Sequence, residues 1–145
     1  MKKVLKIILA AIVFAIISEV IHTVDAMFTM DFYKDQTYSQ VWSKIMMPSS
    51  GQPPAEFYYL SIAFTFIGGL LFTIVYLIIE KGLPGATVIK KGLNYGFLMF
   101  LVGGISGYLA MILLINLPMM LLVYWAIEGL IINLICGIVI ARINK

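Results

Sequence analysis

The stretch Gly92–Ile127, GLNYGFLMFLVGGISGYLAMILLINLPMMLLVYWAI, decides the fold because its 36 residues carry no charge. Glu128 is the only charged residue between it and Arg142, so the apolar stretch extends over 50 residues. One helix of roughly 20 residues crosses the hydrocarbon core of a bilayer, and this stretch is therefore long enough to cross twice. The turn is predicted at Asn116-Leu117-Pro118, because proline ends a helix and disfavours helical geometry in the residue before it.

Two further apolar segments bring the number of predicted spans to four. The spans cover about 4–24, 57–79, 93–115 and 119–140, with an outer loop over 25–56. Because four helices and their connections use all 145 residues, the sequence predicts one all-α transmembrane domain over 1–145, a four-helix bundle. The first span also resembles a signal peptide, with Val24 and Ala26 before a cleavage point. Glu19 and His22 would be unusual so near that point, which favours a retained helix.

Composition supports the membrane assignment. Hydrophobic residues make up 62% of the chain and charged residues 12%, and the mean hydropathy is +1.04. Soluble domains carry about 25% charged residues. The single cysteine, Cys136, excludes an internal disulfide, a CxxC redox pair and a cysteine zinc cluster.

The basic residues predict the orientation. Eight of the ten flank the ends of the spans at which the two termini lie, and only Lys34 and Lys44 lie on the other side. By the positive-inside rule both termini are cytoplasmic (N-in/C-in), and the protein is integral to the cell (inner) membrane. The net charge of +3 then reflects topology and contact with the lipid bilayer, and no nucleic acid is predicted as a partner.

The outer loop contains a helical pattern. Tyr38, Val41, Trp42 and Ile45 recur at helical spacing and predict a short interfacial helix. Such a helix either caps the bundle and rests on headgroups, or acts as a gate or partner-docking element. The chain then breaks at four residues before an aromatic belt begins at Phe57: Pro48, Gly51, Pro53 and Pro54.

Small and polar residues form a stripe on each helix. Small residues allow the close backbone approach that holds membrane helices together, so they predict helix packing, with a glycine-lined conduit or a ligand groove as the alternative. In the first two helices the stripes include Ala11, Ala15, Ser61, Thr65 and Gly68. In the last two helices the predicted packing glycines are Gly96, Gly103, Gly107, Gly129 and Gly137.

Two acidic residues resist a packing explanation. Glu19 and Glu128 each lie about 14 residues from the cytoplasmic end of their helix, which places both roughly 21 Å above that boundary. An ionisable group at such a depth is costly and marks a site that faces the bundle interior. His22, one turn from Glu19, is a natural partner. The sequence therefore predicts an intramembrane polar site of Glu19, His22 and Glu128, extended by Asn133 or Asp25.

This predicted site has three interpretations. It handles protons or cations, it only joins helices, or it holds a metal or prosthetic group. No cofactor is predicted with the residues at hand, and copper or another metal is the minor alternative. A copper site would use Glu19, His22, Met27 and Met30, because thioether ligands suit Cu(I).

Enzyme motifs do not occur in the sequence, which contains no GxSxG, HExxH or phosphate loop and a single histidine. An enzyme is therefore the less favoured class. The remaining enzymatic interpretation is an intramembrane activity that uses Glu19 and Glu128 as acid and base.

Three short segments carry a resemblance. Trp42–Pro48, Lys91–Gly96 and Trp125–Leu130 resemble small four-span prokaryotic membrane proteins of a domain of unknown function. The similarity covers mainly the last 110 residues. It implies the fold, and it implies no activity and no site residue.

The sequence thus predicts a small polytopic membrane protein. The leading hypothesis is a proton- or cation-coupled transporter or a channel-like homo-oligomer that uses the Glu/His cluster. The alternative is a non-catalytic accessory or assembly subunit of a larger membrane complex. A transporter requires a polar cavity that reaches Glu19 and Glu128 from one side, whereas a subunit requires a dry bundle with an apolar docking face.

Overall fold

The computed structural model describes residues 2–47 and 53–145. Over these ranges the chain is all-helical, without a strand. Four helices are each long and apolar enough to cross a membrane, which suggests a membrane protein. They are α1 Lys3–Lys34, α2 Ala55–Ile79, α3 Val88–Leu114 and α4 Met119–Asn144. The turn between α3 and α4 lies at Asn116-Leu117-Pro118, as the sequence predicts.

Helix α1 is longer than predicted. It continues to Lys34, whereas the sequence placed a loop from Asp25. The segment from 25 to 34 contains no glycine or proline that would end the helix, and the Thr29 hydroxyl donates to the Asp25 carbonyl at 3.0 Å within it. The helix ends where Asp35 becomes extended and its carboxylate accepts the Thr37 N–H at 2.9 Å.

The predicted interfacial helix from Tyr38 to Ile45 is wrong. Only a single 3-10 turn, Gln36–Tyr38, forms there, and further turns follow it. The Ser43 hydroxyl accepts the Met46 N–H at 3.2 Å, and this local bond favours a turn over a helix. Trp42 also packs against Tyr33 of α1, with ring centroids 4.9 Å apart. Pro48 and Gly51, where the chain was predicted to break, lie outside the described residues.

The two chain termini lie at one end of the bundle. The Lys6 ammonium donates to the carbonyl of Lys145 at 2.8 Å, which joins the start of α1 to the end of α4. We call this end the terminal end. The opposite end, which we call the loop end, holds the α1–α2 connection and the α3–α4 turn.

Glycines bring α3 and α4 into backbone contact. A Cβ built at Gly96 or Gly137 would overlap backbone atoms of the facing helix, and one built at Gly92 would lie 2.6 Å from the Ile138 Cα. Gly69, rather than the predicted Gly68, does the same between α2 and α1, where a Cβ would lie 2.9 Å from the Ala11 Cα. The close approach of the helices in both pairs therefore requires glycine, which has no side chain, at the point of contact.

The predicted contact at Gly103 and Gly107 is wrong within this chain. A Cβ at either position would meet no atom within 4 Å. Gly103 lies inside a π-helical turn of α3, Phe100–Ile105, and Gly107 follows it, and such a turn changes the helix face on which these residues lie. Gly129 does pack against α3, but its contact is with the Tyr108 side chain rather than with the backbone.

Tyr95 is the aromatic centre of the core. It is fully buried, and its ring meets Phe72 edge-on at 4.6 Å and Tyr76 at 5.2 Å. Its hydroxyl donates to the Phe72 carbonyl, so it joins α3 to α2.

We expect Tyr95→Phe to destabilise the bundle modestly. The ring packing remains and one interhelical hydrogen bond is lost, which costs about 0.6 kcal/mol and at most about 1.7 kcal/mol between membrane helices. Unfolding in detergent would measure the loss. Tyr59→Phe is the control, because Tyr59 is 72% exposed. Equal stability of the two variants would contradict a role for the Tyr95 hydroxyl.

Candidate functional site

The site begins with a pair between α1 and α4. His22 Nδ1 and Glu128 Oε1 share a hydrogen bond. When the carboxylate is ionised, the imidazole N–H donates to it, and when the carboxyl is protonated, its O–H donates to the imidazole. One proton can therefore sit on either side of this contact.

The two partners differ in their surroundings. The Glu128 side chain is 9% exposed, whereas that of His22 is 45% exposed. A buried carboxylate is costly unless it is paired. His22 supplies that pair through its Nδ1 atom.

Glu19 is held by α2 rather than by His22. Its Oε1 accepts hydrogen bonds from the Ser61 hydroxyl at 2.8 Å and the Thr65 hydroxyl at 3.1 Å. Thr65 also contacts the carbonyls of Ser61 and Ile62, so its single proton is shared among competing acceptors. Ser61 and Thr65 were expected only to pack helices, and the structure makes them the partners of Glu19.

One cavity adjoins both glutamates. It has a volume of about 970 Å³ and lies at the loop end of the bundle between α1, the α1–α2 connection, the start of α2 and α4. His22 also lines it. Four carboxylate residues contribute to its wall, which we call the cavity carboxylates: Glu19, Asp25, Asp35 and Glu128.

Asp25 and Asp35 extend this acidic wall along α1 and its end. The Asp25 carboxylate accepts a hydrogen bond from the buried Thr29 hydroxyl at 3.3 Å. The backbone N–H of Thr37 donates to the Asp35 carboxylate and lowers the pKa of Asp35, so Asp35 is ionised at neutral pH. Lys34 is the only lysine or arginine in the wall formed by the described residues.

Aromatic residues form the other wall. Trp42 lies between Tyr33 and Trp125, with ring centroids 4.9 Å and 6.5 Å away, and the Trp125 indole N–H donates to the Tyr33 hydroxyl at 3.1 Å. Five residues in all, the cavity aromatics, line the cavity: Tyr33, Trp42, Phe57, Tyr58 and Trp125. The sequence analysis did not assign this cluster to the site. The only available signal was that Trp42 lies in the predicted outer loop and Trp125 lies near the outer end of the fourth predicted span.

Asn133 is not brought to the cavity. Its amide donates to the Gly129 carbonyl of the same helix at 2.7 Å. Met27 and Met30 do line the cavity, as do Met46 and Met47. Over residues 2–47 and 53–145, however, no three His, Cys, Asp or Glu residues form a group that could hold a metal ion.

Tyr108 supports the α4 turn that carries the site. Its hydroxyl donates to the Trp125 carbonyl at 2.6 Å and lies against Gly129, the residue after Glu128. Because Gly129 has no side chain, the phenol can reach this carbonyl. Tyr108 thus positions the segment from Trp125 to Glu128.

No protein-family model, no curated protein and no solved structure matches this chain. Its function is therefore inferred from its own residues.

Proposed function

We propose that this chain is a small integral membrane protein that moves protons, or a cation coupled to protons, through the cavity at its loop end. The observation that carries the proposal is the cavity of about 970 Å³ that adjoins Glu19, His22 and Glu128. A bundle whose polar residues only joined helices would not need such a space beside them.

The chemistry of the pair supports proton exchange. Glu128 is nearly buried and hydrogen-bonded to a histidine that is half exposed to the cavity. Histidine gains and loses a proton near neutral pH more readily than other side chains. A proton from the cavity would therefore reach Glu128 through His22, while Glu19 would supply a second carboxylate in the same wall.

Reconstitution into liposomes tests this function. With a potassium-diffusion potential imposed, vesicles that contain the protein should take up protons, or accumulate a cation in response to a pH gradient, faster than protein-free vesicles. Rates equal to those of protein-free vesicles under both gradients would contradict the proposal.

A second candidate function is an accessory subunit that packs against another membrane protein or a second copy. It is favoured by the open face at Gly103 and Gly107, where a Cβ would meet nothing within 4 Å. Glycines at this spacing let a partner helix approach closely. A larger assembly that forms in mild detergent and dissociates on Gly107→Leu would support this function.

We further propose that both termini are cytoplasmic. The basic residues at the terminal end favour this orientation. A labelling experiment needs a background without Cys136, the only cysteine, which is buried and is replaced by alanine. A cysteine at Gln40 should then react with an impermeant maleimide from outside intact cells, and a cysteine at Ala86 only after the membrane is opened.

These labelling positions follow from the structure. Gln40 and Ala86 are exposed at opposite ends of the bundle. Gln52 would serve the same purpose by sequence, but it lies outside the described residues. Gly85 has a φ of 136°, and a side chain there would approach the Lys91 backbone. If Ala86→Cys is labelled from outside intact cells and Gln40→Cys is protected, the orientation is opposite to the one proposed.

A further inference from the structure

The cavity is larger and more aromatic than a proton path requires. Its volume of about 970 Å³ is at the upper end of the roughly 300–1,000 Å³ typical of small-molecule sites. A proton relay needs only a chain of polar groups, and a bare metal ion needs several oxygen, nitrogen or sulfur ligands at bonding distance. Neither accounts for the two tryptophans, two tyrosines and four methionines in the wall.

The charge of the wall selects cations. Of the four cavity carboxylates, Glu128 is paired with His22, which leaves Glu19, Asp25 and Asp35 with one lysine, Lys34, among the lining residues. Asp25 is partly exposed, and Asp35 lies at the end of α1 beside the connection. An anion would be repelled from this wall, and a neutral molecule would gain no attraction between opposite charges.

The aromatic groups suit the same sign of charge. A cation within about 6 Å of an aromatic centroid is attracted to the ring face, most strongly to tryptophan. Trp42 of the connection and Trp125 of α4 both line the cavity, and their rings meet edge-on with centroids 6.5 Å apart.

We propose that this cavity binds an organic cation with an apolar, aromatic or alkylated body, as the substrate of the transporter proposed above, on which this inference rests. The cation's charge is balanced by the cavity carboxylates. Its body packs against the cavity aromatics and the methionines, whose flexible thioethers adapt to ligands of different shape.

A pair of ions with the same shape and opposite charge tests the proposal. Tetraphenylphosphonium and tetraphenylborate are added to the full-length protein in detergent, and tryptophan fluorescence is recorded. Both tryptophans of the chain line the cavity, so the signal reports on this site. Tetraphenylphosphonium should quench the fluorescence saturably, and tetraphenylborate should not. Equal saturable quenching by both ions would overturn the charge selection.

Asp25→Asn and Asp31→Asn form a matched pair of variants. They make the same change on α1, but Asp25 lines the cavity and Asp31 is exposed outside its wall. Loss of one nearby carboxylate should weaken tetraphenylphosphonium binding about tenfold in Asp25→Asn, since this corresponds to ~1.4 kcal/mol. Asp31→Asn should bind as the unaltered protein does. Identical dissociation constants for the two variants would overturn the proposal.

The aromatic contribution is tested at Trp42, with Trp125 as the remaining reporter. Trp42→Leu should bind tetraphenylphosphonium more weakly than Trp42→Phe, which keeps a ring in place. Equal binding would remove the aromatic wall from the proposal. If tetraphenylphosphonium fails to bind while liposomes still show protein-dependent proton uptake, the ligand class is wrong and the transport function stands. If tetraphenylphosphonium binds but liposomes show no protein-dependent flux, the transport function is wrong and the ligand class stands.

Discussion

Gly96→Leu is expected to unfold the α3–α4 pair or to destabilise it severely. A Cβ at Gly96 would overlap the Asn133 carbonyl on the facing helix, and a backbone atom has no alternative rotamer to adopt. Overpacking a core costs typically about 1–3 kcal/mol and occasionally more, and leucine adds three further carbon atoms beyond the overlapping one. Thermal unfolding in detergent, followed by circular dichroism, measures the effect.

Gly103→Leu is the matched control for this experiment. It makes the same change on the same helix, at a position where a Cβ would meet no atom within 4 Å. The melting temperature of the monomer should therefore change little. If Gly96→Leu has the same melting temperature as the unaltered protein, the close contact between Gly96 and the Asn133 carbonyl is wrong.

These two glycines also show where the sequence could predict the packing. Gly96 and Gly137 lie in small-residue stripes, and both are at close contacts. Gly103 and Gly107 continue the stripe in the sequence, but a Cβ at either position would meet no atom within 4 Å. Gly103 lies inside the π-helical turn Phe100–Ile105 and Gly107 follows it, so the helical period changes there. Sequence periodicity assumes 3.6 residues per turn along the whole helix. It therefore could not detect the change of face.

The four helices and the α3–α4 turn could be predicted because they depend on local composition. Long uncharged runs and Pro118 carry that information within the sequence itself. The α1–α2 connection could not be predicted in the same way. Its turns depend on side-chain bonds of Asp35 and Ser43 and on the docking of Trp42 onto Tyr33, which compete with a helix that the spacing alone favours.

The residues of the polar site could likewise be predicted from local sequence, whereas their pairing could not. The cost of an ionisable group in an apolar segment singled out Glu19 and Glu128, and one helical turn related His22 to Glu19. The structure pairs His22 with Glu128 and gives Glu19 to Ser61 and Thr65. The glutamate that pairs with His22 is determined by how α1, α2 and α4 are arranged around each other. No local sequence pattern encodes that arrangement.

Glu128→Gln is expected to abolish proton-coupled flux in liposomes while the protein remains folded. Glutamine has nearly the shape of glutamate, and its carbonyl oxygen can still accept a hydrogen bond from the His22 N–H. It cannot bind and release a proton, so the exchange between Glu128 and His22 ends. Flux should fall to the rate of protein-free vesicles, whereas circular dichroism and yield should stay close to those of the unaltered protein.

Glu80→Gln separates this effect from a general loss of negative charge. Glu80 follows α2 at the terminal end and does not line the cavity, so the same substitution there should leave flux unchanged. If Glu128→Gln transports as well as Glu80→Gln, the pair with His22 serves only to join α1 and α4. In that case Glu128 is buried only for helix packing, because a hydrogen bond from His22 to an uncharged glutamine would then be sufficient for the protein to work.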